Sequence, residues 1–195
     1  MLKWVAQTWL KAMGWRVNCP LPDERKYVIL AAPHTSNWDG LLMVLMNYAC
    51  GLRCNWMVKD DVMRFPFKSA LRGLGAVPID RSKSGDLVAQ VAEHFRSNEE
   101  FHLLIAPEGT RSYRDYWKSG FYHIARQAEV PVLLSYLNYK DKIGGFGPMV
   151  VLSGDSRKDM DAMRAFYRAE WSHTPANFGP IRLRDEESSA QAAAQ

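Results

Sequence analysis

The 195-residue chain is poor in cysteine and has no long hydrophobic run, no tract of one charge sign and no internal repeat. Its cysteines, Cys19, Cys50 and Cys54, are odd in number, and no second pair completes a zinc site. They are expected to be reduced thiols, mostly buried, in a cytosolic protein. The most apolar stretch, Leu41 to Leu52, falls well short of the roughly 20 residues that cross a bilayer. The opening "MLKWVAQTWLKAMGW" has lysines through its middle and no small-residue cleavage site, so no secretory signal is expected in it. Also missing are the GxSxG elbow of serine hydrolases, the GxxxxGK[ST] phosphate loop and HExxH. "RGLGAVP" offers only two glycines of a dinucleotide fingerprint before Pro78. Cations are dispersed, 25 against 21 acids, whereas nucleic-acid binding calls for clustered Lys/Arg with interleaved aromatics.

What is present is an ordinary globular composition, 47% hydrophobic and 24% charged, of a length that suits one domain with a sizeable core. The net charge of +4 and sequence pI of about 9.0 favour acidic partners: an anionic membrane surface, a phosphate-bearing substrate or nucleic acid. Residues 1–16 form the first unit. At about 100° per residue, Leu2, Val5, Ala6, Trp9, Leu10 and Met13 share one arc, and Lys3, Gln7, Thr8 and Lys11 take the other. Such a helix can lie in a lipid interface or dock on the core; Trp4 and Trp15 fall on its polar arc.

Beyond "CPLPDERK", strand-like and helix-like blocks alternate. Strands are expected at 27–32, 53–58, 75–79, 101–106, 130–138 and 148–154. A helix capped by Asp39 or Asn37 is expected to run through Cys50, with others at 61–72, 86–97, 119–129 and 158–171. This order predicts a single α/β domain over 17–184, its mostly parallel sheet covered by helices on both faces. The low-complexity tail 185–195 is expected to be disordered.

In parallel sheets, ligands gather outside the carboxyl ends of the strands. After 27–32 come His34 and Asp39; after 53–58, Lys59; after 75–79, Arg81; after 101–106, Glu108, Gly109, Thr110 and Arg111. Singly, each has an ordinary structural role available, such as a helix cap or an exposed salt bridge. Their recurrence after successive strands points to one rim. Two cations among Lys59, Arg81 and Arg111 suffice to hold a phosphate. A metal on His34, Asp39 and Glu108 is allowed by ligand type, but the His-x4-Asp spacing fits no standard zinc motif. A five-residue offset on a regular helix leaves two side chains about 140° apart, so His34 must sit in the turn before the helix to meet Asp39.

"PHTSNWD", "GAVPIDR", "APEGTRS" and "VPVLLSYLN", taken in order, resemble the four blocks of the glycerolipid acyltransferases, the lysophosphatidic acid acyltransferase-like family. The resemblance implies transfer of a fatty acyl group from acyl-CoA or acyl-carrier protein to a lysolipid hydroxyl, without cofactor or metal. It implies His34 as general base, Asp39 as its partner, and Arg81, Glu108, Gly109, Thr110 and Arg111 in the acceptor-phosphate region. The acceptor it implies is a lysophospholipid such as 1-acyl-glycerol-3-phosphate, with a lyso-aminolipid or lipid-A-like precursor as the alternative. A non-catalytic lipid-binding protein on the same fold is a further reading. Pro33 stands where the family often has Asn. With only 33 residues ahead of His34, residues 1–16 are expected to serve as a peripheral anchor on the cytoplasmic side of the cell membrane.

Overall fold

The structure is a computed structural model, and it describes residues 2–59, 68–80 and 87–186. Its elements are α1 (Leu2–Ala12), β1 (Arg16–Asn18), β2 (Lys26–Ala31), α2 (Asn37–Cys50), β3 (Asn55–Lys59), α3 (Lys68–Gly73), β4 (Ala76–Ile79), α4 (Leu87–Ser97), β5 (Phe101–Ile105), α5 (Gly120–Gln127), β6 (Val132–Asn138), β7 (Ile143–Val150) and α6 (Ser156–Phe166). Seven strands form one sheet in the order β1-β7-β6-β2-β5-β3-β4. The five from β6 to β4 are parallel; β7 runs against β6, and β1 pairs parallel to β7.

The central strand β2 is buried on both faces, and its side chains divide with period two. Val28 and Leu30 face a core with Leu103, Val132, Phe95 of α4, Ile124 of α5 and Met160 of α6. Tyr27 and Ile29 pack on the other face with Leu133 and Phe146. Over that face lies α2, and α1 packs on α2 through Ala6 and Leu10. Complete burial of Leu10 contributes about 1.5–3 kcal/mol. Of the two fates open to the first helix, docking on the core is the one seen. Ala6 and Leu10 dock, while Leu2, Trp4, Val5 and Trp9 stay exposed.

Several expectations are corrected. Cys19 and Cys50 are joined in a disulfide, not reduced; Cys54 alone is free. The reason is β1, a three-residue edge strand not foreseen in the sequence, which leads Cys19 to the carboxyl end of α2. The last strand lies at Ile143–Val150, not 148–154, because a run of glycines let the chain pair against β6 earlier than its apolar residues suggested. Gly145 has φ +155° and a Cβ there would meet the Asn18 carbonyl oxygen at 1.7 Å, so only glycine lets β1 close in. The expected helix 158–171 ends at Phe166, with short 3-10 turns beyond. Asp185 and Glu186 belong to the ordered fold, Glu186 pairing with Arg164 at 2.9 Å; the rest of the expected tail lies outside the described residues. So do Arg81 and residues 61–67 of the expected helix 61–72.

Candidate functional site

The rim is assembled by strand order. β2 and β5 are parallel neighbours, so the loops that follow them lie side by side. The His34 main-chain N–H donates to Glu108 Oε1 at 3.0 Å, joining the two loops. Arg111 donates to the side-chain oxygen of Asn37, tying the Glu-Gly-Thr-Arg loop to the first turn of α2.

His34 lies in the turn before α2, with its Nδ1 3.6 Å from Asp39 Oδ2. This is an electrostatic contact, longer than a hydrogen bond. The helix cap is Ser36, not Asp39 or Asn37: Ser36 Oγ accepts from the Trp38 N–H at 2.9 Å, and Asp39 reaches back to the cap in a capping box. Asp39 Oδ2 accepts the N–H groups of Thr35 at 2.6 Å and Ser36 at 2.8 Å. One carboxylate thus closes the helix end and faces the imidazole. Of the readings open for this stretch, cap and paired histidine hold together.

Burial pushes the His34 pKa below its ordinary value, with Asp39 raising it and Arg111 lowering it further. The imidazole is therefore neutral at neutral pH and able to accept a proton. Glu108 moves the other way: enclosure of its carboxyl raises it to about 7, opposed by hydrogen bonds that include the His34 N–H. Its Oε2 is enclosed and has no hydrogen-bond partner among the described residues.

Gly109 has φ +64°, and a Cβ there would lie 2.5 Å from Lys118 Cε, so the Lys118 stem crosses directly over it. Thr110 Oγ1 accepts from the Ser112 N–H at 3.4 Å. A cleft of about 720 Å³ opens here, lined by Glu108, Gly109, Thr110, Arg114, Lys118 and Arg184 among others. Lys59 ends β3, which pairs parallel with β4, so its main chain reaches the same edge of the sheet.

Sequence reasoning missed Lys118 and Tyr139. Lys118 carried a readable signal, a cation just before the expected helix 119–129, and only the Gly109 contact shows what it crosses. Tyr139 follows β6 and donates its hydroxyl to Asp39 Oδ1 at 2.5 Å. No local pattern announces that bond, because its partners are 100 positions apart. Among the described residues, no group of three or more His, Cys, Asp or Glu converges as a metal site.

A family model described as Acyltransferase matches residues 18–137. Human and bovine 1-acyl-sn-glycerol-3-phosphate acyltransferase alpha are each 28% identical to the chain over 57% of its length, which covers 40% of theirs. The chain thus spans about two fifths of the length of these curated relatives. The crystal structure of the 1-acyl-sn-glycerophosphate (LPA) acyltransferase PlsC from Thermotoga maritima superposes with a TM-score of 0.59 at 14% identity, covering 84% of this chain and 75% of that one. That likeness is one of fold.

Proposed function

As the chain belongs to the acyltransferase family, we propose that it moves a fatty acyl group from acyl-CoA or acyl-carrier protein to the hydroxyl of a lysophospholipid such as 1-acyl-glycerol-3-phosphate. The observation that carries this reading is the half-buried His34 held beside Asp39 on the same rim as the Glu108–Arg111 loop. His34 takes the hydroxyl proton as the acceptor oxygen bonds to the thioester carbonyl carbon. Asp39 steadies the imidazolium. The tetrahedral intermediate then expels the thiolate, which needs little acid assistance and recovers the proton from His34. No cofactor enters the reaction.

Arg111, with Lys59 and Arg81, supplies the cations for the acceptor phosphate, and Lys118 adds a fourth. Arg111→Ala is expected to raise the acceptor KM by about tenfold or more and to leave the donor KM within twofold, since a charge-assisted contact is worth roughly 1.5–3 kcal/mol. Steady-state kinetics with each substrate varied in turn check this; an effect on the donor alone would count against a phosphate role. An apolar cavity of about 170 Å³ beside α2, lined by Val44, Leu104 and Trp56 among others, supports an acyl-chain path along that helix.

The protein works peripherally, at the membrane surface. Exposed Leu2, Trp4, Val5 and Trp9 on α1, with Trp38, Leu41 and Val44 on α2, give an apolar surface that Lys3 and Lys11 complement toward anionic headgroups. No helix among the described residues is long and apolar enough to cross a membrane. The double substitution Trp4→Ser, Trp9→Ser is expected to release the protein from vesicles rich in anionic lipid, and unchanged co-sedimentation would remove the anchor.

The test of the activity is a mass-spectrometric screen of purified protein with acyl-CoA and acyl-carrier protein against lysophospholipids and lyso-aminolipids. A new diacyl product, absent with His34→Ala, supports the reading, and its mass names the acceptor. A product from a lyso-aminolipid alone transfers the mechanism to that acceptor class. Folded protein that yields no product in the presence of vesicles overturns the reading in favour of lipid binding.

A further inference from the structure

We infer that Tyr139 is a positioning residue of the site: its hydroxyl fixes the Asp39 carboxylate and draws off part of its charge, which sets how strongly His34 holds a proton. The inference rests on the acyl-transfer reading for its kinetic consequence and on geometry for the rest.

The sheet brings the residue there. β6 is the parallel neighbour of β2 on the side opposite β5. The His–Asp turn that follows β2 is therefore flanked on both sides, by Glu108 from beyond β5 and by Tyr139 from one residue beyond β6. Glu108 binds the main chain of that turn. Tyr139 binds its carboxylate, at 2.5 Å, within the range of a short charge-assisted hydrogen bond.

Among the described residues, three donors then serve Asp39. Two amide N–H groups hold Oδ2, and the phenol holds Oδ1. With both oxygens committed, the carboxylate plane cannot rotate, and the face of Oδ2 toward His34 Nδ1 is fixed. Tyr139 is itself held firmly. Its N–H donates to the Trp171 carbonyl oxygen at 2.9 Å, and its ring meets Trp15 and His173 edge-on, with centroids 5.1 and 5.0 Å apart. Burial and the Asp39 carboxylate both push the phenol pKa upward, so it remains a donor through the working pH range. Among the described residues, the charged or titratable groups that act on Asp39, His34 and Tyr139 are Glu108 and Arg111 from the loop after β5 and His173 from the segment after α6, whose ring meets that of Tyr139.

Removing the hydroxyl leaves more negative charge on Asp39 to attract a proton to His34. Tyr139→Phe is expected to lower kcat about tenfold with both KM values within twofold, the scale of one hydrogen bond to a charged group. The acid limb of kcat/KM is expected to move up by about half a pH unit or more. A role confined to packing or to satisfying the helix cap would lower Tm and leave that limb in place. Trp15→Phe serves as the control: it disturbs the ring contact, keeps the hydroxyl, and should change Tm without moving the limb.

The deciding measurement is the NMR titration of the His34 imidazole, assigned by its loss in His34→Asn, in wild type and Tyr139→Phe. An upward shift of the midpoint supports the inference, and an unchanged midpoint overturns it. That readout needs no turnover, so a protein inactive on every lysolipid would sink the acyl-transfer reading while leaving this one decided. If Tyr139→Phe does not fold, 3,5-difluorotyrosine at position 139 keeps the ring and makes the phenol a stronger donor. The His34 midpoint should then fall, and no movement overturns the inference.

Discussion

His34→Ala is expected to slow acyl transfer by about 10²–10⁴-fold, the usual contribution of a positioned general base. The loss should be chemical rather than structural. The described bond that His34 makes to the fold runs from its main-chain N–H to Glu108, and alanine keeps it. The imidazole makes no hydrogen bond among the described residues and faces Asp39 from 3.6 Å. Thermal unfolding of the variant should therefore overlay that of the wild type within a few degrees, while product formation collapses. The pH dependence follows from the direction of the His34 shift. Burial, the largest cause, lowers its pKa from 6.5, so the base stays unprotonated at neutrality. Activity should be flat from neutral pH downward and fall only as the pH drops through a value below 6.5. A variant within a few-fold of wild type, or an acid limb above 6.5, would remove the assignment.

The second large effect lies far from the chemistry. Breaking the Cys19–Cys50 bond, by reductant or by Cys19→Ser with Cys50→Ser, is expected to cost about 3–4 kcal/mol, from loop closure over its 31-residue separation. For a chain of this size that corresponds to a Tm lower by roughly 10 °C. The bond has much to hold. It ties the connector after β1, a strand of three residues at the sheet edge, to the end of the helix on which α1 rests. Cys54 offers no exchange partner, since burial pushes its thiol up to about 12 and leaves almost no thiolate. Calorimetry of wild type and the double variant, each with and without reductant, checks the expectation. The wild type should fall to the level of the variant on reduction, and the variant should not respond. Coincident transitions in all four samples would show that the bond contributes nothing.

What the sequence made legible was whatever a local period or a strand–helix alternation can encode. Apolar runs such as 27–32 and 101–106 fell within about two residues of their strands, and α4 and α5 followed their 3.6-residue periods. The placement of His34 in the turn before α2 followed from helix geometry alone. Long-range consequences stayed hidden. β1 is three residues of mixed polarity and has no period to read; its partner, β7, lies more than a hundred positions away. Without β1 nothing predicted that Cys19 would reach Cys50. The glycines of β7 read as a loop because an edge-side strand can be built on backbone pairing with little side-chain signal. Tyr139 entered the site for the same reason: it is a neighbour of the motif in space, delivered by the adjacent strand β6, and not in sequence. Lys118 stands in the same connection as the Glu108–Arg111 loop, and only the fold of that connection lays its stem over Gly109.

The double duty of Asp39 bears on how related chains should be compared. Because the carboxylate closes α2 as well as facing the imidazole, selection on folding alone suffices to retain it after catalysis is lost. An aspartate at this position in a degenerate relative is therefore weak testimony for activity. The histidine ring has no such second employer. Where the two part company down a lineage, the ring should disappear first, and the order of loss would date the end of chemistry apart from the decay of the fold.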